Sequence, residues 1–219
     1  MATKIGSSYE DTLFGTFQDD YIYGYGDDDL LYGRAGNDRI YGDSGPSEVP
    51  TGIAGDDTIK GGLGNDRIYG EDANDSLLGG SGNDSVYGGR GNDILKGGEG
   101  NDFLSGGQLG NQIDIDYLTG GSGSDVFAFG SYHGNAYSVG GNSDYAVVTD
   151  FNSGQDTVQL DLGNYSFGSS PIAGISGTAI YQDSELIGIL EGVSSHGLVF
   201  EDSTFTTTVK GFSLGFEFG

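Results

Sequence analysis

Twelve aspartates stand in a regular file along this 219-residue chain: Asp11, Asp20, Asp29, Asp38, Asp57, Asp66, Asp75, Asp84, Asp93, Asp102, Asp116 and Asp125. Each precedes an apolar residue by two positions, and all but Asp116 follow a glycine by five. Carboxylates repeated in this way can ligate a row of hard cations, or they can serve only as turn formers. Asn would serve a turn equally well. Yet the position just before the aspartate varies among Asn, Asp, Glu, Ser and Pro, while the aspartate itself is replaced once, by Ser47. That contrast favours ligation.

The file is part of a nine-residue repeat. Its cleanest stretch reads GGLGNDRIY, GEDANDSLL, GGSGNDSVY, GGRGNDILK, GGEGNDFLS, from Gly61 to Ser105 without a gap. Extended both ways, units start at Gly6, Gly15, Gly24, Gly33, Gly42, Gly52, Gly61, Gly70, Gly79, Gly88, Gly97, Gly106 and Gly120. The Gly42 unit carries one extra residue, and the Gly106 unit five. Position eight is apolar throughout: Leu13, Ile22, Leu31, Ile40, Val49, Ile59, Ile68, Leu77, Val86, Leu95, Leu104, Leu118 and Phe127.

This pattern dictates local structure. Six residues rich in Gly, Asn and Asp favour a tight turn with positive φ. The remaining x-apolar-x triplet is a short strand with one side chain pointing inward. Two units then make one coil, and the strands stack as two parallel sheets about 4.8 Å apart per coil. The expectation is an all-β, right-handed parallel β-roll over residues 6–128. One buried aliphatic per nine residues is a thin core against about 1–2 kcal/mol of backbone entropy per residue.

Stacked coils also bring carboxylates within about 5 Å, where two bare charges repel by about 3 kcal/mol at an effective dielectric of 20. A divalent cation between turns converts that repulsion into coordination. Ca²⁺ suits the place, since it takes six to eight oxygens in flexible geometry. Mg²⁺ demands a tighter octahedron, and Zn²⁺ would want His or Cys, which the repeats lack. Pairing aspartates two units apart gives Asp11–Asp29, Asp66–Asp84, Asp84–Asp102 and Asp102–Asp125 on one edge. The other edge gives Asp20–Asp38, Asp38–Asp57, Asp57–Asp75, Asp75–Asp93 and Asp93–Asp116. Roughly seven to ten bound Ca²⁺ are expected from these pairs. Asp43, at a turn position outside the file, is expected to matter little.

Composition agrees. Glycine accounts for 44 residues, hydrophobic residues for only 35%, and the net charge is −25. Such a chain repels nucleic acid and other polyanions, and attracts cations. There is no cysteine, no apolar run long enough to span a membrane, and no apolar stretch in MATKIGSSYE to act as a signal peptide. No GxSxG, HExxH, P-loop or dinucleotide motif is present, so no enzyme is expected. His133 and His196 stand outside the repeats and read as surface or structural histidines.

The unit GGxGNDxUx, with U apolar, resembles the RTX (repeats-in-toxin, hemolysin-type) calcium-binding repeat from Gly6 to Ala128. The resemblance implies that each Ca²⁺ sits between adjacent turns on one edge, held by position-six aspartates and turn carbonyls. It also implies type I secretion by an uncleaved C-terminal signal, with the chain unfolded in the cytosol and folded by extracellular calcium. Three departures carry expectations. Ser47, in GDSGPSEVPT, should weaken the sites joining it to Asp29 and Asp66. The insertion QLGNQIDID leaves Asp114 and Asp116 as rivals for one ligand position. The early units YED, QDD and DDD lack glycine at position four, which implies strained or weaker turns.

Residues 129–219 lose the repeat and gain alternating runs such as YAVVTDF, DTVQLDL, TAIYQD and ELIGILEG. These read as the β-rich cap that a roll needs at its end. VVTDFNSGQDTVQLD resembles the DFxxGxDxIxL segment that follows RTX repeats. Asp150 and Asp156 there either bind a further Ca²⁺ or flank a turn. The final TFTTTVKGFSLGFEFG is either a secretion signal or a last cap strand. Two function classes remain. One is a calcium-binding structural module of a secreted or surface protein; the other is a calcium-dependent carbohydrate- or partner-binding module. For the second, Phe14, Tyr32, Tyr69 and Tyr87 form a candidate outward aromatic column, although Tyr also simply suits exposed strands.

Overall fold

The computed structural model describes residues 1–44, 54–107, 113–131, 134–135, 144–161, 163–196, 198–202 and 206–211. Ser47, Val49, His133 and the terminal residues 212–219 lie outside them. Among the described residues every regular element is a strand.

Two ten-stranded sheets face each other. The first stacks Thr3–Ile5, Tyr21–Tyr23, Arg39–Tyr41, Arg67–Asp72, Ser85–Arg90, Phe103–Gly107, Val126–Ala128 and Thr157–Asp161 in parallel. The second stacks Thr12–Phe14, Leu30–Ala35, Thr58–Leu63, Ser76–Ser81, Ile94–Glu99, Ile115–Ser122, Tyr145–Val148 and Glu185–Glu191, also in parallel. The chain alternates between them, strand by strand, as far as Thr157–Asp161. This is a parallel β-roll.

Position eight points inward at the described units from Ile22 to Phe127. Ile22, Leu31, Ile40, Ile59, Ile68, Leu77, Val86, Leu95, Leu104, Leu118 and Phe127 are all at most 1% exposed. Each contributes about 2 kcal/mol of burial, but they form a single file. The C-terminal part is thicker. Phe129, Ala146, Val148, Phe151, Val158, Leu160, Ile180, Ile187 and Leu190 extend the same cluster, and Tyr145, Val147, Ala179, Leu186 and Ile189 form a second one.

The register differs from the sequence reading at the Gly42 unit. Leu31 pairs with Ile59 and Ile40 with Ile68, so this coil spans 28 residues. Thr58–Leu63 thus stacks directly on Leu30–Ala35, and Arg67–Asp72 directly on Arg39–Tyr41. The reason lies in GDSGPSEVPT: two prolines cannot donate to a ladder, and the position-six aspartate is missing. Losing one unit exchanges the edges of everything after it.

Two further results concern the ends. Parallel stacking does not stop at Ala128: Phe127 pairs with Val158, Leu118 with Val148, and Val148 with Leu190. Only then do the sheets turn antiparallel, through Gly177–Gln182 and Tyr165–Ser169 on the second and Thr206–Gly211 and Leu198–Asp202 on the first. Thr206–Gly211 is therefore an antiparallel strand of the first sheet.

The exchange of edges also corrects the aromatic column. Phe14 and Tyr32 stack on the second sheet, whereas Tyr69 and Tyr87 lie on the first. There they continue Tyr23 and Tyr41 at centroid spacings of 5.1, 4.9 and 4.9 Å and interplanar angles of 11° or less. Inner rings of this stack spend both faces on each other and turn only their edges to solvent.

Candidate metal centre

The roll sorts the aspartates into two columns, one along each edge. The first is Asp11, Asp29, Asp57, Asp75, Asp93 and Asp116. The second is Asp20, Asp38, Asp66, Asp84, Asp102 and Asp125, continued by Asp156. Within each column the N–H of one aspartate donates to Oδ1 of the next, at 2.7–3.0 Å. Asp29 is thus joined to Asp57 and Asp38 to Asp66, so Asp38–Asp57 is not a pair. Asp116 takes the place over which it competed with Asp114: the Asp93 N–H reaches its Oδ1 at 2.8 Å. Asp156 stands in the second column, while Asp150 accepts the Gly120 and Gly121 N–H groups at 2.9 and 2.8 Å.

The second oxygen is the telling one. Oδ2 of Asp29, Asp38, Asp57, Asp66, Asp75, Asp84, Asp93 and Asp102 is buried with no hydrogen-bond partner. A buried carboxylate oxygen left alone costs about 1–3 kcal/mol or more. Eight in two ordered files are an unmet demand for positive charge. Burial accordingly pushes these carboxyls up: Asp57 to about 8, Asp75 to about 9 and Asp93 to about 8, with neighbouring carboxylates adding to the shift. Asp84 and Asp102 rise to about 6, again chiefly through burial.

The donor set fits a hard cation. Among the described residues no three of His, Cys, Asp or Glu converge. Each turn offers one carboxylate, so most of a coordination shell must come from backbone carbonyls, as Ca²⁺ accepts and Zn²⁺ does not. Glycine at position one keeps that region open. A Cβ at Gly61 would lie 2.3 Å from the Asp66 Oδ2 and 2.6 Å from the carbonyl oxygen of Gly79.

Positions two and four have positive φ in the units starting at Gly24, Gly33, Gly61, Gly70, Gly79, Gly88, Gly97 and Gly120. At Gly82, φ is +130°, and a Cβ would lie 2.0 Å from the Gly64 carbonyl oxygen. Tyr25, Asp27, Arg34, Glu71 and Ala73 take the same positions with φ between 66° and 93° despite their side chains. The left-handed region costs a non-glycine residue about 1–2 kcal/mol. Gly82→Ala should therefore lower the stability of the loaded protein by about 2 kcal/mol or more, and Ala73→Gly should raise it by up to about 1 kcal/mol. Denaturant unfolding at saturating calcium measures both.

Position five has a role that its variability concealed. Its side-chain oxygen accepts the N–H of the same position one coil later: Asn37 from Asn65, Asn65 from Asn83 and Asn83 from Asn101, at 2.7, 2.6 and 2.8 Å. Asp19, Asp28 and Asp56 accept in the same way. Any side chain with such an oxygen serves, which is why Asn and Asp interchange. Asp43, expected to matter little, also has partners. Its carboxylate accepts the N–H groups of Gly55 and Asp72, at 3.1 and 3.2 Å, and so ties the long Tyr41–Thr58 connection to the roll.

The raised carboxyls set the pH behaviour of the metal-free chain. Their folded pKa lies above the unfolded value near 4, so folding is favoured when they are protonated. That contribution is complete below about pH 4 and is lost as pH rises through about 6 to 9. In excess chelator, far-UV circular dichroism should thus show more β structure at pH 4 than at pH 9. A flat profile would contradict the buried, unpaired carboxylates.

Comparison with known proteins bears on the repeat. The family model for the RTX calcium-binding nonapeptide repeat (4 copies) matches residues 5–40, 26–46, 51–86, 78–113 and 114–131. Among solved structures, the AlgE6R3 subunit of the Azotobacter vinelandii mannuronan C5-epimerase is similar at 19% identity, over 87% of this chain and 78% of that one, with a TM-score of 0.22. No curated protein matches. The matched segments span more than half of the sequence, over the same residues that build the two aspartate columns. This chain belongs to the RTX calcium-binding nonapeptide repeat family.

Proposed function

We propose that this chain is a structural module of a secreted or cell-surface protein, folded by calcium outside the cell. The observation that carries the reading is the set of eight buried, unpartnered carboxylate oxygens in two files. In this reading Asp11, Asp29, Asp57, Asp75, Asp93 and Asp116 hold Ca²⁺ along one edge, and Asp20, Asp38, Asp66, Asp84, Asp102 and Asp125 along the other. Turn carbonyls complete each shell, and roughly seven to ten ions bind per chain. The bound ions supply the cohesion that a single file of aliphatics cannot. A chain that stays open at cytosolic calcium suits passage through a type I secretion channel, and it would lock on reaching millimolar calcium.

The alternative, a calcium-dependent carbohydrate-binding module, loses its best support with the aromatic column. Sugar stacking needs free ring faces, and Tyr41 and Tyr69 have theirs against neighbouring rings. The test is ion counting by equilibrium dialysis at millimolar calcium. Seven to ten tightly held ions are expected, and one or two would sink the stacked-ion reading.

A further inference from the structure

We propose that the first coil of the roll is a metal-free cap, in which Ser7 and Thr16 occupy the place that calcium takes in later coils. This rests on the calcium reading above and removes Asp11 and Asp20 from its ligands.

Asp11 and Asp20 head the two columns, and their N–H groups donate to the next aspartate as all the others do. Their second oxygens differ. Asp11 Oδ2 accepts the Ser7 N–H at 2.6 Å and the Ser7 hydroxyl at 2.8 Å. Asp20 Oδ2 accepts the Thr16 N–H at 2.6 Å and the Thr16 hydroxyl at 2.8 Å. In the eight turns from Asp29 to Asp102 that oxygen is bare. At the second turn solvent does not explain the difference, because Asp20 is 1% exposed.

The backbone changes with it. Ser7, Tyr9, Thr16 and Gln18 hold positions two and four, yet none has positive φ, unlike Tyr25, Asp27 and Arg34 in the next two turns. The peptides are correspondingly re-aimed. A Cβ on Gly64, Gly82 or Gly100 meets a carbonyl oxygen of the previous coil first, at 1.9–2.0 Å. On Gly36 it meets the Gln18 carbonyl carbon and the Asp19 nitrogen first, at 2.4 and 2.5 Å. The first two turns thus lack the bare oxygen, and the second also lacks the carbonyl approach seen at Gly64, Gly82 and Gly100.

The physical cause is the end of the stack. An ion shared between coils draws oxygens from both, and the first coil has a neighbour on one side only. A hydroxyl and an N–H satisfy the carboxylate locally, with no ion and no second coil. The other end of the second column does likewise: Asp156 Oδ2 accepts the Asn152 N–H at 2.8 Å.

The test is calcium per full-length chain, by equilibrium dialysis with atomic emission, alongside far-UV circular dichroism. Asp20→Asn is expected to leave the ion count unchanged, whereas Asp84→Asn loses at least one ion. Thr16→Val is expected to lower the melting temperature of the loaded protein at an unchanged count. A loss of ions in Asp20→Asn or Thr16→Val, with the β signal intact, would overturn the cap. An unchanged count in Asp84→Asn would instead overturn the calcium columns themselves.

Discussion

When calcium is raised from below a micromolar to millimolar, the repeat region should pass from disorder to β structure, with a large cooperative gain in far-UV circular dichroism. The chain carries −25. Without ions, the coils before Phe127 rest on one buried side chain per unit, too little to offset both chain entropy and charge repulsion. Nine bound Ca²⁺ would reduce the net charge to about −7, ordinary for a soluble domain. Ions that bind only between stacked turns turn binding energy into folding energy, and each coil then assists its neighbour. The C-terminal sheets have a two-cluster core and should keep some β signal in chelator. A complete β signal in excess EGTA would defeat the hypothesis. An equal response to magnesium would leave the fold standing but remove calcium selectivity.

Asp84→Ala should cost about 3–5 kcal/mol of loaded-state stability and shift the calcium midpoint upward. Two losses add. The Asp66 N–H loses its buried acceptor at 2.8 Å, and the column loses the mid-file carboxylate that the calcium reading makes an ion ligand. Asp43→Ala removes two hydrogen bonds made with Gly55 and Asp72, worth about 1–2 kcal/mol, and takes away no column carboxylate. Its melting temperature should fall while its calcium midpoint moves far less. Equal midpoints for the two variants would mean that the columns are wrongly assigned.

Much of this arrangement is legible in the residues themselves, because the repeat is a local code. Six turn-forming residues and an x-apolar-x triplet specify their own conformation, so the nine-residue period yields the roll, the inward file from Ile22 to Phe127 and the aspartate file. Glycine at position one is legible too, although its reason is the space beside the Asp66 Oδ2 and the Gly79 carbonyl. What lay beyond the sequence is which unit stacks on which. The Gly42 unit counts as a repeat by its glycine and Val49. The register of the coils around it, not its own pattern, joins Ile40 directly to Ile68. That choice moves Asp38 from Asp57 to Asp66, and Tyr69 from Tyr32 to Tyr41. The position-five oxygens find their donors one coil away, 18 residues or more along the chain. Ser7 and Thr16 likewise look like any turn residues until the bare oxygens of the later turns stand beside them. Local propensity determines each turn and strand, whereas register, partners and unmet charge are settled only by contacts between coils.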